Sequence, residues 1–227
     1  MIRLALAMEG HAGQAVTLNE ADWHYVAGVM RRNVGDAIEV LAQDGLVWRA
    51  RITAQCQLLL EERVVGNAPP RRSITLYQAL LKGDHFSDVV ERGTEAGIAR
   101  FVPVVTERSI VREVSPNKAA RWRTVAKEAS EQSRREAVPT IEPGVRLADL
   151  RAPEGADAYV LDPRAPHERA WAEDTSRPVA LVVGPEGGFT PGEYAFLYDK
   201  GFRPLSLGPR VYRAENAGAF AAVLFLQ

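Results

Sequence analysis

Residues Val179 to Glu193 read VALVVGPEGGFTPGE, and this stretch sets the fold class. Ala180 to Val183 form an unbroken apolar run, as a buried strand requires. The run meets Gly184-Pro185-Glu186-Gly187-Gly188, where neither strand nor helix can continue. TPGEYAFLYDKG follows as a compact helix: Thr190 caps it, Pro191 occupies the first turn, Glu193 completes a capping box and Gly201 ends it. Strand, glycine turn and capped helix in this order is the repeating grammar of an α/β sheet.

The same alternation extends both ways. ITLYQAL reads as a strand, residues 84–97 as a helix stopped by Gly97, and ARFVPVV as a strand. SPNKAARWRTVAKEASEQSRR is a helix, with Ser115 placed to cap and Pro116 where its missing N–H costs nothing. Trp122, Val125, Ala126 and Ala129 make its apolar stripe. AYVLD and the stretch around Pro204–Leu207 are short strands, and ENAGAFAAVLFLQ is a helix apolar nearly all round. A mostly parallel sheet is the expectation for this half.

Residues 1 to about 67 follow another pattern. Ala37–Leu41 and Val47–Ile52 are alternating runs joined by a turn at Asp44-Gly45, and QLLLEERVV is a third strand. WHYVAGVMRR places Trp23, Val26 and Met30 at helical spacing. So few residues suit a small barrel or curled sheet. GNAPPRRS, residues 66–73, breaks both helix and strand and is the expected linker.

Composition narrows the function classes. With 46% hydrophobic and 25% charged residues the chain is globular rather than disordered. No apolar run has the length of a membrane span, and no cleavable leader is apparent, so a cytoplasmic protein is expected. One cysteine, Cys56, excludes an intrachain disulfide, and histidines at 11, 24, 85 and 167 lack metal-ligand spacing; no metal is expected. Net charge is −1, yet Arg108 to Arg135 hold eight Lys or Arg against three acids. That stretch reads equally as a backbone-tracking surface for nucleic acid or as a solvated helix face.

Ligands of α/β sheets bind beyond the carboxyl ends of the strands. Two segments lie there: the Gly184–Gly188 loop, and PLSLGPRVYRAENAG, residues 204–218. The first lacks the Gly-Lys-Ser/Thr of a phosphate loop and the Gly-x-Gly-x-x-Gly of a dinucleotide site. In the second, Arg210 and Arg213 can hold a phosphate or steady a developing negative charge. Glu215 and Asn216 either join that chemistry or cap the last helix.

Together LVVGPEGGF (181–189) and SLGPRVYRAENA (206–217) resemble the two signature loops of the ribosomal RNA small-subunit methyltransferase E family. HYVAGVMRRNVGDAIEV, LLKGD, GTEAGIARFVPVVTERS and WRTVAKEASEQSRREAVP resemble its other blocks, so the likeness covers nearly the whole chain. The chain departs from the family pattern at identifiable places. Leu-Arg-Thr-Glu-Thr-Ala is replaced by Tyr212-Arg213-Ala214-Glu215-Asn216-Ala217, and Lys-x-Thr-Glu-Leu-Gly by Arg92-Gly93-Thr94-Glu95-Ala96-Gly97.

The resemblance implies a PUA-like β-barrel that binds RNA over residues 1–67. It implies a trefoil-knotted SPOUT methyltransferase domain over 72–227. It further implies a homodimer that methylates N3 of a uridine in 16S ribosomal RNA of the small subunit, using S-adenosylmethionine. The donor is expected across Leu161, then Val183, Gly184, Gly187 and Gly188, then Leu205, Leu207, Gly208, Arg210 and Val211, with Asn216 beside them. Uracil N3 carries a proton, so a group must accept it or stabilise the anion left behind. Arg213 is the first candidate to stabilise charge; Glu186 and Glu215 either take the proton, orient the base, or are structural. Arg31, Arg32, Lys82, Arg134 and Arg135 are candidates for phosphate contacts. Two other readings stand beside this one: a transfer-RNA or ribose 2′-O methyltransferase of the same fold, and a non-catalytic assembly factor that binds ribosomal RNA, for which Ala214 speaks.

Overall fold

A computed structural model describes residues 1–64, 72–166 and 176–226. Of the expected linker only Arg72 and Ser73 are described; the rest of it, like His167, lies outside these residues. The chain divides into two units, one of residues 1–69 with 130–138 and one of 70–129 with 139–227.

In the first unit five strands form one curled sheet: β1 (Arg3–Ala5), β2 (Ala15–Thr17), β3 (Ala37–Leu41), β4 (Val47–Ala54) and β5 (Gln57–Val64), in the order β1-β3-β4-β5-β2. Strand β1 runs parallel to β3, and the remaining pairs are antiparallel. Alternation along β3, β4 and β5 puts Ile38, Val40, Ala50, Ile52, Leu58 and Leu60 in a single core. Register shifts between Arg49 and Ala50, and between Ile52 and Ala54, bend the central hairpin. The expected helix is shorter and wider than its spacing suggests. α1 (Glu20–Trp23) is capped by Asn19, whose Oδ1 accepts from the Asp22 N–H at 2.8 Å. It runs directly into a π-helical stretch, His24–Val29. The wider turn leaves Val26 fully buried and Trp23 and Met30 only partly so.

The second unit is built on a seven-stranded sheet in which every pairing is parallel. Its strands are β6 (Ile74–Ala79), β7 (Arg100–Val105), β8 (Thr140–Ile141), β9 (Val145–Arg146), β10 (Asp157–Leu161), β11 (Val179–Val183) and β12 (Arg203–Leu205). The order is β12-β10-β11-β6-β7-β8, with β9 also on β7. Central β11 is buried at all five positions, which is why its sequence is continuously apolar.

Helices cover both faces. α2 (His85–Glu95), α3 (Pro116–Gln132) and α5 (Ala214–Leu226) contribute Phe86, Val90, Trp122, Ala126, Ala221 and Phe225 to one core, with Leu76 and Leu181 of the sheet. α4 (Pro191–Asp199) covers the other face, where Tyr194 and Leu197 meet Val160, Ala180 and Val182. Phe86 stacks on Trp122 with ring centroids 4.1 Å apart, joining α2 to α3. α5 lies so close to β6 that a Cβ at Gly218 would stand 2.7 Å from Leu76 Cδ2. No helix among the described residues is long and apolar enough to cross a membrane.

Several boundaries differ from expectation; β4, for one, runs on from Ile52 to Ala54. The strand expected at 158–162 is Asp157–Leu161, so Asp162 begins the loop rather than ending the strand. The helix expected over 84–97 spans His85–Glu95. α3 starts as expected, with the Ser115 Oγ accepting from the Lys118 N–H at 3.3 Å, but stops at Gln132, short of Arg134 and Arg135. Arg134 adopts φ +58°, which no right-handed helix accommodates. Within the first unit, the Arg3 guanidinium then holds the carbonyls of Arg134 and Arg135 at 2.7 and 3.0 Å.

Candidate active site

The parallel strands β10, β11 and β12 end side by side, and each hands the chain to a loop. The three loops enclose a cleft of about 680 Å³. Leu161 closes β10, Val183 closes β11 with Gly184 to Gly188 after it, and Leu205 closes β12 with Leu207, Arg210 and Val211 beyond; all except Pro185 and Glu186 are expected donor contacts, and all line the cleft. Glu186, Arg213 and Glu215 line it as well. Gly208 and Asn216 are not among the lining residues. Gly208 instead turns the chain behind it, at φ +105°, a conformation a Cβ would resist. The Asn216 Oδ1 accepts from Arg92 Nη1.

Each loop is tied down. The Glu186 Oε1 accepts from the Lys82 backbone N–H at 2.9 Å, joining the glycine loop to the end of β6. The Gly187 carbonyl accepts from Arg108 Nη1 at 2.6 Å, and that of Gly184 from Gln78 Nε2 at 3.4 Å. The capping box of α4 is formed, with Thr190 Oγ1 accepting from the Glu193 N–H at 3.2 Å and Glu193 Oε2 from the Thr190 N–H at 2.8 Å. The other Glu193 oxygen accepts from the Glu107 N–H at 2.8 Å. By contrast, the backbone from Arg210 to Tyr212 makes no hydrogen bond to another described residue. Its amides and carbonyls are therefore available at the wall of the cleft.

Asp162 and Pro163 add an acidic corner that sequence reasoning missed. Arg164 donates to the Asp162 carboxylate from Nε and Nη2, both at 2.9 Å, and the Tyr198 hydroxyl donates at 2.8 Å. Burial alone would push this carboxyl up. The hydrogen bonds from Arg164 and Tyr198 outweigh it and hold Asp162 below the usual range. Burial and the same hydrogen bond push the Tyr198 phenol up to about 12. The Arg164 guanidinium also covers the Tyr194 ring at 4.4 Å, and the Tyr194 hydroxyl donates to the Leu161 carbonyl at 3.3 Å. Tyr194, from the fourth residue of α4, thus reaches the cleft from an element the sequence placed elsewhere.

Tyr212 and His85 join Arg213 and Glu215 among the lining residues. Arg213 is 83% exposed and its Nη1 lies 3.9 Å from the buried Glu215 carboxylate, a loose pair that leaves the guanidinium free to turn. His85 opens α2, with its Nδ1 3.3 Å from Asp88 Oδ2. Lys82 is exposed but does not line the cleft. In the first unit, Arg31 is exposed and Arg32 half-buried. Arg134 is exposed, whereas burial of Arg135 lowers its pKa.

Comparison with known proteins gives a consistent result. Residues 68–226 match the model of the RNA methyltransferase domain family. The chain is 36% identical over 232 residues to the Ribosomal RNA small subunit methyltransferase E of Synechocystis sp., covering 96% of this chain and 75% of that one. The crystal structure of a Ribosomal RNA small subunit methyltransferase E from Neisseria gonorrhoeae bound to S-adenosyl methionine superposes with a TM-score of 0.91. It shares 26% identity, and the match covers 98% of this chain and 95% of that one. A putative methyltransferase from Legionella pneumophila, also in complex with S-adenosylmethionine, gives a TM-score of 0.87 at 28% identity, over 99% and 96% of the two chains.

Proposed function

The chain belongs to the ribosomal RNA small-subunit methyltransferase E family, within the SPOUT superfamily, and on that premise we propose that it methylates N3 of a uridine in 16S ribosomal RNA at the expense of S-adenosylmethionine. One observation carries the reading: both signature loops converge on a single cleft at the carboxyl ends of β10, β11 and β12.

The residues present fit the donor. About 680 Å³ lies within the roughly 300–1,000 Å³ of small-molecule sites. Leu161, Val183, Leu205 and Leu207 offer apolar walls for a flat base. The backbone of Arg210–Tyr212 offers the hydrogen bonds that would fix its edge. Gly184, Gly187 and Gly188 keep side chains out of the way, and Gly208 with Asn216 supports the second loop from behind. Bound there, S-adenosylmethionine supplies an electrophilic methyl group on a sulfonium sulfur.

The chain's own residues then have two tasks. Arg213 steadies the negative charge that grows on uracil as N3 loses its proton, and Glu215 orients that guanidinium. Glu186 holds the glycine loop against the end of β6. The target uridine must leave its stack to enter the cleft. Arg31, Arg32, Lys82, Arg134 and Arg135 are the phosphate contacts of this reading, so binding weakens with salt.

Three finer features belong to the same proposal. The five-stranded first unit is a PUA-like RNA-binding domain, supported by its small curled sheet. The second unit is a trefoil knot: after β12 at the sheet edge the chain returns to pack α5 against β6 and α2 near the middle. The protein works as a homodimer in the cytoplasm, and exposed Val211, Phe220, Val223 and Leu224 supply an apolar face for the second copy.

Labelled S-adenosylmethionine and small ribosomal subunits lacking the modification test the reading, with nucleoside analysis of the product. Labelled 3-methyluridine at one site is the expected result. Label on transfer RNA or on a ribose hydroxyl would instead select the other specificity. No transfer by folded, RNA-binding protein would select the assembly factor.

A further inference from the structure

We infer that His85, held by Asp88, is the proton acceptor for the methyl-transfer step. The inference rests on the uridine-N3 reading and assigns the one task that reading leaves open. The N3–CH3 bond forms as the S–CH3 bond breaks and its electron pair stays on sulfur. The electrons of the N3–H bond stay with the base, and the proton must go to a nearby lone pair.

Among the described residues, four titratable acids and bases other than tyrosine and arginine line the cleft: His85, Asp162, Glu186 and Glu215. Three have other work. Asp162 receives donors from Arg164 and Tyr198, which hold it in its charged, hydrogen-bonded form. Glu186 accepts from the Lys82 N–H and would release the glycine loop if it turned away. Glu215 is buried behind Arg213 in the first turn of α5, as that guanidinium's partner. Tyr194 at the cleft and Tyr198 behind Asp162 carry their own protons, and burial raises the pKa of both phenols; the Tyr212 ring packs edge-on against Phe220, with centroids 5.0 Å apart.

His85 is placed differently. It is 54% exposed at the start of α2, on the wall of the cleft. Its Nδ1 lies 3.3 Å from Asp88 Oδ2, one helical turn on. A carboxylate that accepts from Nδ1–H fixes the neutral tautomer and leaves Nε2 with its lone pair. Nε2 makes no hydrogen bond to another described residue, so that lone pair is free for substrate. Proton transfer from N3 to Nε2 leaves an imidazolium whose charge the Asp88 carboxylate balances, and water then removes the proton. Among the described residues, the charges near this end of α2 are Asp84 with its α3 partner Arg121 and Asp88 with Arg92 at 3.9 Å, and Glu186, Arg213 and Glu215 line the same cleft. Sequence offers no reason to single His85 out, because the three loops that share its cleft lie 76 residues or more away.

Initial rates of methyl transfer to unmodified small subunits test the assignment, with His85→Ala, His85→Gln and Asp88→Asn beside the unaltered chain. Calorimetric titration with S-adenosylmethionine checks that each variant keeps a formed donor site. The unaltered chain yields 3-methyluridine. His85→Ala lowers kcat about 100-fold, in the range of a lost general base, with both KM values within about twofold. Added imidazole restores part of kcat to His85→Ala, but not to the bulkier His85→Gln. Asp88→Asn falls about tenfold. Full activity in His85→Ala, or a loss confined to the KM for subunits and indifferent to imidazole, overturns the assignment and leaves the methyltransferase reading standing. Absence of 3-methyluridine from the unaltered chain overturns the reading itself, and the assignment with it.

Discussion

The Arg92 guanidinium on α2 donates through Nη1 to the side-chain oxygen of Asn216 on α5. Both residues stand where the chain departs from the family pattern, Arg92 in place of a lysine and Asn216 in place of a threonine. The two departures meet in space, so the longer donor has a longer acceptor to reach. Arg92 is 43% exposed, which limits what the contact is worth. A double-mutant cycle with Arg92→Ala and Asn216→Ala, read by denaturant unfolding, should give a coupling of about 0.5–1 kcal/mol. Replacing Asn216 by Thr alone should lose that coupling, and adding Arg92→Lys should not lower stability further.

Arg213 contributes charge rather than packing, because its side chain is 83% exposed and its partner Glu215 is 3.9 Å away. Arg213→Ala should therefore leave thermal stability unchanged while lowering kcat about 100-fold. Arg213→Lys should recover only part of the loss, since an ammonium lacks the planar fork. Single-turnover rates with saturating donor give the comparison directly.

Glu186 separates a structural from a chemical role by the choice of substitution. Glutamine keeps an oxygen for the Lys82 N–H and loses only the charge. Glu186→Gln should retain donor affinity within about threefold, whereas Glu186→Ala should weaken it about tenfold, close to one lost hydrogen bond. An equal, large drop in kcat for both variants, with affinity intact, would assign the proton to Glu186 instead.

Asp162 makes stability depend on acid. Its folded pKa lies below the ordinary 3.8, because the bonds from Arg164 and Tyr198 outweigh burial. A carboxyl depressed by folding stabilises the native state above its unfolded pKa. That contribution fades as pH falls below 3.8 and is gone once pH passes the lower folded value. The Tm of the native chain should exceed that of Asp162→Asn at neutral pH, and the gap should close in that acid window.

Elements defined by local chemistry were legible in the sequence. The β11 run, the Thr190–Glu193 capping box and the Ser115 cap all form as their residues dictate. Three-residue strands β1 and β2 were not, because so short a segment shows no period. Neither was the π stretch at His24–Val29, where packing of Val26 outweighs spacing. In the cleft, glycine turns and nearby charges announced both signature loops. Asp162, Tyr194 and His85 reach it from the ends of other elements, and only the order of the strands brings them there.

That strand order also governs how the chain can fold as it is made. β6 pairs on one side with β7, which follows soon after, but on the other with β11, Ile74 against Val179. β10 in turn needs β12, Tyr159 against Arg203. During synthesis β6 emerges with one apolar edge that nothing yet translated can cover, while the first five strands already have all their sheet partners. The nascent chain must therefore carry an open edge until nearly its last strand appears. Ribosome-stalled chains cut at residue 150 should hold a protected amino-terminal sheet and an exchanging, chaperone-accessible β6–β7 pair.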